Sequence, residues 1–546
     1  YFMSNMMKIL QGAAGSQDED LIYMPMGNNP GNANWTYGQH AQNYITIIDP
    51  INRVEKGHIS LTYNYGWGNY GIQRARLTLG DDDYIYITGT HHPNRANTLN
   101  GNQSGYDVRD GLFRVHKNST TLDSGSYHSM FHQITDNFNR YSWQSVSNAN
   151  EYGTMFDNTT SHFWITNGRG AYVAGAGQSG GLGHHSNYPS VVAIDTQNWP
   201  TSITQPSDPG QVVYRPPNHH TSSLNSQTAY IAGNSGGKKH GITTNGKSGS
   251  DREYVAAGTH EDTLQNADGN IHGLHGFDFM EAYGMNRDNS GSNPAGDYTT
   301  GHYGQLNGVG DDINLKLANI SNTSYGVSNI PQGTGHSAPA IFYYNNHYFS
   351  REGSGGNSGG LICVDEGGQA GATYPNTNAI RSNSITASQG IYKLPNGYAL
   401  GLNDGTGRTR SCFRVYNLDT LINATGTSTN INTRNGMSPD YFEIPSSVHP
   451  NISSIYNFPA PIVNCVVTNS GKIFILSDYY DSSTNRIINI IQCHFNSTYT
   501  TCTFSGGTFL DSTYPYLISS GANASWNVWP REAIGNLTRS KLEWNE

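Results

Sequence analysis

Charge is scarce in this chain. Of 546 residues only 13% are charged, 40 acidic against 30 basic, for a net −10 with histidine neutral. No run of Lys or Arg is longer than a pair. Without a basic patch the chain lacks the electrostatic footprint of a nucleic-acid or anionic-membrane binder. No apolar run approaches the roughly 18–20 residues needed to cross a bilayer, so no membrane span is expected. Cysteine is sparse as well. The five (Cys363, Cys412, Cys465, Cys493, Cys502) are odd in number, lie in the last third and have no short paired spacing. That argues against a disulfide framework and for folding in a reducing cytosol. The opening YFMSNMMKILQGAAGSQDED has no basic stretch leading into an apolar core, so no secretory signal is expected. No Walker A motif, dinucleotide fingerprint or nucleophile elbow occurs, and no cofactor is expected.

What the chain has in excess is Gly, with 64, and Tyr, with 36. Tyr and Thr suit half-buried strands, and Gly and Asn suit tight turns. Aromatics at 11% are too many for a disordered chain. The composition implies an all-β protein with long polar loops.

One pattern recurs along it: an apolar strand, a tight turn, a strand centred on an aromatic, a polar loop and a third apolar strand. ARLTLGDDDYIYITG is followed by GLFRVH within 75–116, and FWITNGRGAYVAG by SVVAID within 163–195. AIFYYNNHYFSREG precedes GLICVD (340–365), GIYKLPNGYALG precedes CFRVY (390–416), and CVVTNSGKIFILSD precedes IINIIQCH (465–494). Weaker copies pair LIYMPMG (21–27) with YITIID (44–49), and REYVAAG (252–258) with GLHGFDF (273–279). Asn-Gly, Asn-Asn and Asn-Ser-Gly supply the positive φ that short hairpins need. Alternation in YIYIT and KIFIL sets successive side chains on opposite faces.

The seven units centre on Tyr23, Tyr86, Tyr172, Tyr254, Tyr348, Tyr398 and Phe474. Four-stranded blades with insertions account for their spacing, so the expected fold is all-β, a seven-bladed β-propeller with long loops on one face. A series of β-sandwiches is the competing architecture. The expected division is an N-terminal segment 1–19 (anchor or first inner strand), a propeller over 20–511, and a closing or docking tail over 512–546. The second-to-third strand connections, including 28–43, 90–110, 176–189 and 259–272, are long and should leave from one end of the ring. Long loops on one face of a rigid scaffold are where recognition resides.

The candidate ligand-binding residues sit in such loops. His91-His92 opens the loop of the second unit, His184-His185 lies in the matching loop of the third, and His260 follows AAGT as His91 follows ITGT. Three readings stand side by side: polar packing of the loops, contact with a glycan, and metal or general-base chemistry. The paired histidines lack the fixed spacing of a metal motif, and no metal or catalytic residue is assigned. Trp67 in YNYGWGNYG and Trp143 in NRYSWQS could stack on sugar rings or pack between blades. Asp81–Asp83 reads as a hairpin turn rather than a cation loop.

The stretch MMKILQGAAGS resembles the amino-terminal stretch of tailed-bacteriophage structural proteins, marine ones especially. There a short LQ-A-AG segment precedes a β-rich, Asn/Gly/Ser/Tyr-rich body. The resemblance implies a non-enzymatic virion component: a tail, tail-fibre or decoration protein assembled in the host cytoplasm. Its partners would be other virion proteins or copies of itself, with host surface glycan as a ligand of the loop face. DDDYIYITGTHHPN is also similar to the blade pattern of sialidase-like (BNR) propellers, although their repeated Asp box S-x-D-x-G-x-x-W is absent. That resemblance implies a carbohydrate-active propeller, lyase or lectin, acting outside the cell. In a lyase His92 or His185 would be the base and Tyr188 the acid. A third reading is a self-assembling surface or filament protein of cellular origin.

Overall fold

The computed structural model describes residues 19–26, 41–42, 44–61, 63–64, 69–70, 72–91, 109–123, 127–128, 154–159, 161–166, 191–197, 199, 212–214, 238–246, 254–260, 274–278, 341–351, 361–365, 380–381, 390–402, 412–423, 441–445, 447–448, 462–480, 486–509 and 532–544. Among these the chain is all-β and its sheets stand in a propeller arrangement. Each sheet is an antiparallel meander, numbered here in chain order.

Sheet 2 holds Ile72–Leu79, Tyr84–His91, Arg109–His116 and Tyr127–His128, with Ala41–Gln42 added beside the first. Sheet 3 holds Thr154–Asp157, His162–Thr166, Val191–Asp195 and Val212–Tyr214. Sheet 4 has Lys238–Thr244, Tyr254–His260 and Leu274–Asp278. Sheet 5 has Ile341–Tyr344, His347–Arg351, Leu361–Asp365 and Ile380–Arg381. Sheet 6 has Gly390–Leu394, Tyr398–Leu402, Cys412–Asn417 and Tyr441–Glu443. Sheet 7 has Ile462–Val467, Ile473–Tyr480, Arg486–Phe495 and Cys502–Phe509.

Sheet 1 is composite. Ile22–Met26, Tyr44–Asp49 and Val54–Ser60 are its second to fourth strands. Its first strand is Ile534–Gly535, which pairs antiparallel with Ile22 and Tyr23. The start and the end of the described chain therefore share a sheet.

The period-2 pattern works where a sheet buries both faces, as sheets 2 and 7 do. In YIYIT, Ile85 and Ile87 enter a core shared with Ile45, Ile59 and Leu61 of sheet 1 and its flank. Tyr86 points the other way and stacks on Phe163 of sheet 3, with ring centroids 4.6 Å apart. KIFIL repeats the logic. Ile473 and Ile475 join a core with Leu400, Leu402 and Phe413 of sheet 6. Phe474 and Leu476 join one with Ile22, Met24 and Ile48 of sheet 1. Each strand thus glues its sheet to two neighbours.

The turns obey the sequence chemistry. Asn345 and Asn346 both have positive φ (46° and 58°), as do Asn396 and Gly397 (60° and 70°). Such residues match a hairpin's twist to that of its strands. Asp81–Asp83 is the turn of sheet 2: Asp82 accepts from the Tyr84 N–H and the Tyr86 hydroxyl. Burial and the facing Asp82 carboxylate hold the Tyr86 phenol far above its ordinary pKa, so it remains a donor.

One unit differs from the sequence expectation. FWIT is the second strand of sheet 3, paired with Thr154–Asp157 across a turn at 158–161. The NGRG turn is therefore not the first hairpin of this unit, and Tyr172, expected as its central aromatic, lies outside the described residues. Phe163 occupies the position that Ile85 holds in sheet 2, facing back toward the preceding sheet, where it meets Tyr86. The true turn, DNTTS, has no Gly and gains its positive φ at Ser161 (57°), which hid it.

Candidate functional site: the axis and its two ends

Strand order fixes which connections leave from which end. First strands run toward the tight hairpin turns, second strands run back, and the third and fourth repeat this. Second-to-third and fourth-to-first connections thus begin and end at the opposite, long-loop end. His91 is the last residue of its strand, paired with Arg109, and His260 is the last of its strand, paired with Lys238. Their backbones stand at the long-loop end of sheets 2 and 4. His92, His184, His185, Trp67 and Trp143 lie outside the described residues. The strands flanking the connections that contain them end at that same end.

The tight-turn end is occupied. After Ile534–Gly535 the chain turns into a short helix, Arg539–Trp544, that lies against the first strands of sheets 3, 5 and 6. Asn536 accepts from the Leu21 and Asn469 amides and donates to the Glu19 carbonyl, tying sheets 1 and 7. Thr538 and Ser540 both donate to the Asp81 carboxylate in the turn of sheet 2. Arg539 donates to the Thr154 carbonyl of sheet 3 at 2.8 Å. Glu543, 3% exposed, accepts from Thr243 of sheet 4 (2.6 Å) and from the Tyr343 amide of sheet 5 (2.9 Å). The Trp544 indole donates to the Thr244 carbonyl and lies over Gly246, where a Cβ would come within 2.4 Å of the ring. The helix also rests on Gly390–Leu394 of sheet 6.

Between this segment and the first strands is an axial cavity of about 170 Å³. Its walls are largely apolar, with two ion pairs: Arg76 with Glu532 (3.3 Å) and Arg539 with Glu543. Arg76 has one guanidinium nitrogen, Nη1, buried and without a hydrogen-bond partner among the described residues. An unfilled guanidinium donor beside a cavity is suited to an anionic or hydroxyl-rich ligand. Lys393, also buried there, donates to the Leu394 carbonyl and stands 4.7 Å from the Tyr344 ring centre. Among the described residues no group of three His, Cys, Asp or Glu side chains could hold a metal ion.

Arg76, Glu532 and the tail contacts escaped the sequence reading. Arg76 sits in a strand whose alternation advertises packing, and Glu532 becomes its partner only once residues 456 positions apart meet. The short strand AIG, two of whose residues pair, carries too few residues for a periodic signal.

No family model matches the chain, and no curated protein matches it. Among solved structures, the crystal structure of polysaccharide lyase Uly1 is similar at 11% identity and a TM-score of 0.32, covering 80% of this chain and 82% of that one. A structure of NanB with Optactamide has 8% identity and a TM-score of 0.29, covering 84% and 64%. The NanB sialidase from Streptococcus pneumoniae with a taurine-like ligand has 8% identity and a TM-score of 0.30, covering 83% and 64%. Likeness at this level says nothing about the chemistry of this chain.

Proposed function

We propose that the chain is a seven-bladed propeller, closed by its own C-terminal strand, that binds a glycan at the axial mouth on its long-loop end. Support for seven blades comes from the first strands, each of which lies beside the next: sheet 2 by 3, 3 by 4, 4 by 5, 5 by 6, 6 by 7, and 7 by the Ile534–Gly535 strand of sheet 1. Sheet 1 packs on sheet 2 through the core holding Ile45 and Leu77, so the circuit has no gap.

The observation that carries the site is the position of the tail. It covers the tight-turn end of the axis, so the proposed glycan site is assigned to the other end. Of the candidate residues, His91 and His260 end second strands at that end. Trp and Tyr rings cover the apolar faces of sugars, and imidazoles hydrogen-bond their hydroxyl groups. The virion reading rests on MMKILQGAAGS, which lies outside the described residues, and no contact in the fold supports it over glycan binding.

The test is affinity electrophoresis of the purified chain against acidic and neutral polysaccharides. Retardation by a polysaccharide, reduced by His92→Ala with His185→Ala at unchanged melting temperature, is the expected result. Migration unaffected by any polysaccharide would overturn the reading. Unsaturated products appearing alongside retardation would make the site a lyase site rather than a lectin site.

A further inference from the structure

We propose that Glu532–Trp544 is a separable ligand of the ring: a strand-plus-helix peptide seated in a preformed site, which binds when supplied in trans. Three features distinguish it from an ordinary last element. First, beside its internal Arg539–Glu543 pair, it makes bonds outward to many sheets. Leu21, Thr154, Tyr343, Thr243 and Val467, on five sheets, each meet it through a polar group. A two-residue strand and a six-residue helix have little stability alone and take their shape from the site.

Second, groups that receive the peptide are held by bonds of the ring's own. Asp81 stands in a hairpin turn of sheet 2, and that turn is held by its own bonds, Asp82 to Tyr86 and Lys117 to Asp83. Gly246 leaves a flat floor for the Trp544 ring. Third, recognition is steric as well as polar. A Cβ on Gly535 would meet the Val467 carbonyl oxygen at 1.9 Å, so one position of the peptide must be glycine for the strand to lie against sheet 7. The occupant is therefore specified by a glycine, a buried carboxylate at Glu543 and a terminal indole, in that order.

The experiment places a protease site between residues 512 and 530 of the full chain, cleaves after folding, and adds a labelled peptide of residues 530–546. The cleaved tail should co-elute with the ring in gel filtration and be displaced by excess labelled peptide. A Gly535→Val peptide should bind about a hundredfold more weakly, because its side chain has no space. A Glu543→Gln peptide should compete in between. Two results would overturn the proposal: spontaneous loss of the tail from a ring that keeps its β circular dichroism, or a tail that no excess of peptide replaces even on warming to just below the melting temperature.

Discussion

Gly535 is the residue on which closure turns. The carbonyl of Val467 occupies the place its side chain would take. Gly535→Ala should lower stability by about 3 kcal/mol, as overpacking against rigid backbone does, read as a fall in melting temperature. Asp81→Ala should cost about 1–2 kcal/mol, because two hydroxyls at the helix start lose their acceptor. A drop no larger than that of a surface substitution would show that the tail is not anchored there. At this scale the sequence was legible only in part. Three acids followed by a strand announced the turn at Asp81–Asp83, since Asp favours turns by its local bonding. The second role of Asp81, as anchor for residues more than 450 positions away, has no local signature.

At the scale of elements, hairpins and sheet seams carry the fold. Asn345 at φ 46° tolerates few side chains. Asn345→Val should cost about 1–2 kcal/mol and Asn345→Gly within about 0.5 kcal/mol, measured by thermal melts of both variants. The seam between sheets 1 and 7 adds polar bonds to its apolar core: Asp20 accepts from Ser470 and Lys472. Burial alone would raise the Asp20 pKa, but its bonds to Lys472, Thr468 and Ser470 together bring it below the ordinary value. A carboxyl depressed in the folded state adds stability above its unfolded pKa, and that stability is lost as pH falls through the folded value. Melting temperature should thus decline below about pH 4, and Asp20→Asn should flatten that decline. An equally steep acid limb in the variant would remove this seam from the account. Strands were the most legible part of the sequence. Tyr86, Tyr398 and Phe474 all fall on second strands as their alternation implies. Sheet 3 misled because a Gly-bearing turn signal lay one hairpin downstream of the real one, whose positive φ falls on a serine.

For the whole molecule the repeat and a closing or docking tail over 512–546 were readable, but the strand that does the pairing was not. Seven aromatic-centred units are a local, repeated signal, whereas closure depends on one short pairing, Tyr23 with Ile534, between opposite ends of the chain. Of the candidate ligand residues, His91 and His260 fall at the ends of second strands, as their matching ITGT and AAGT contexts imply. Arg76→Met should lower the melting temperature, because it leaves the half-buried Glu532 carboxylate without its cation. The most direct test of the central claim is a single-particle reconstruction of the purified chain with a retarding polysaccharide. The account predicts seven blades around one axis, the tail across the tight-turn end, and sugar density at the long-loop end. An open arc of sheets, separate sandwiches, or sugar at the tail-covered end would contradict it.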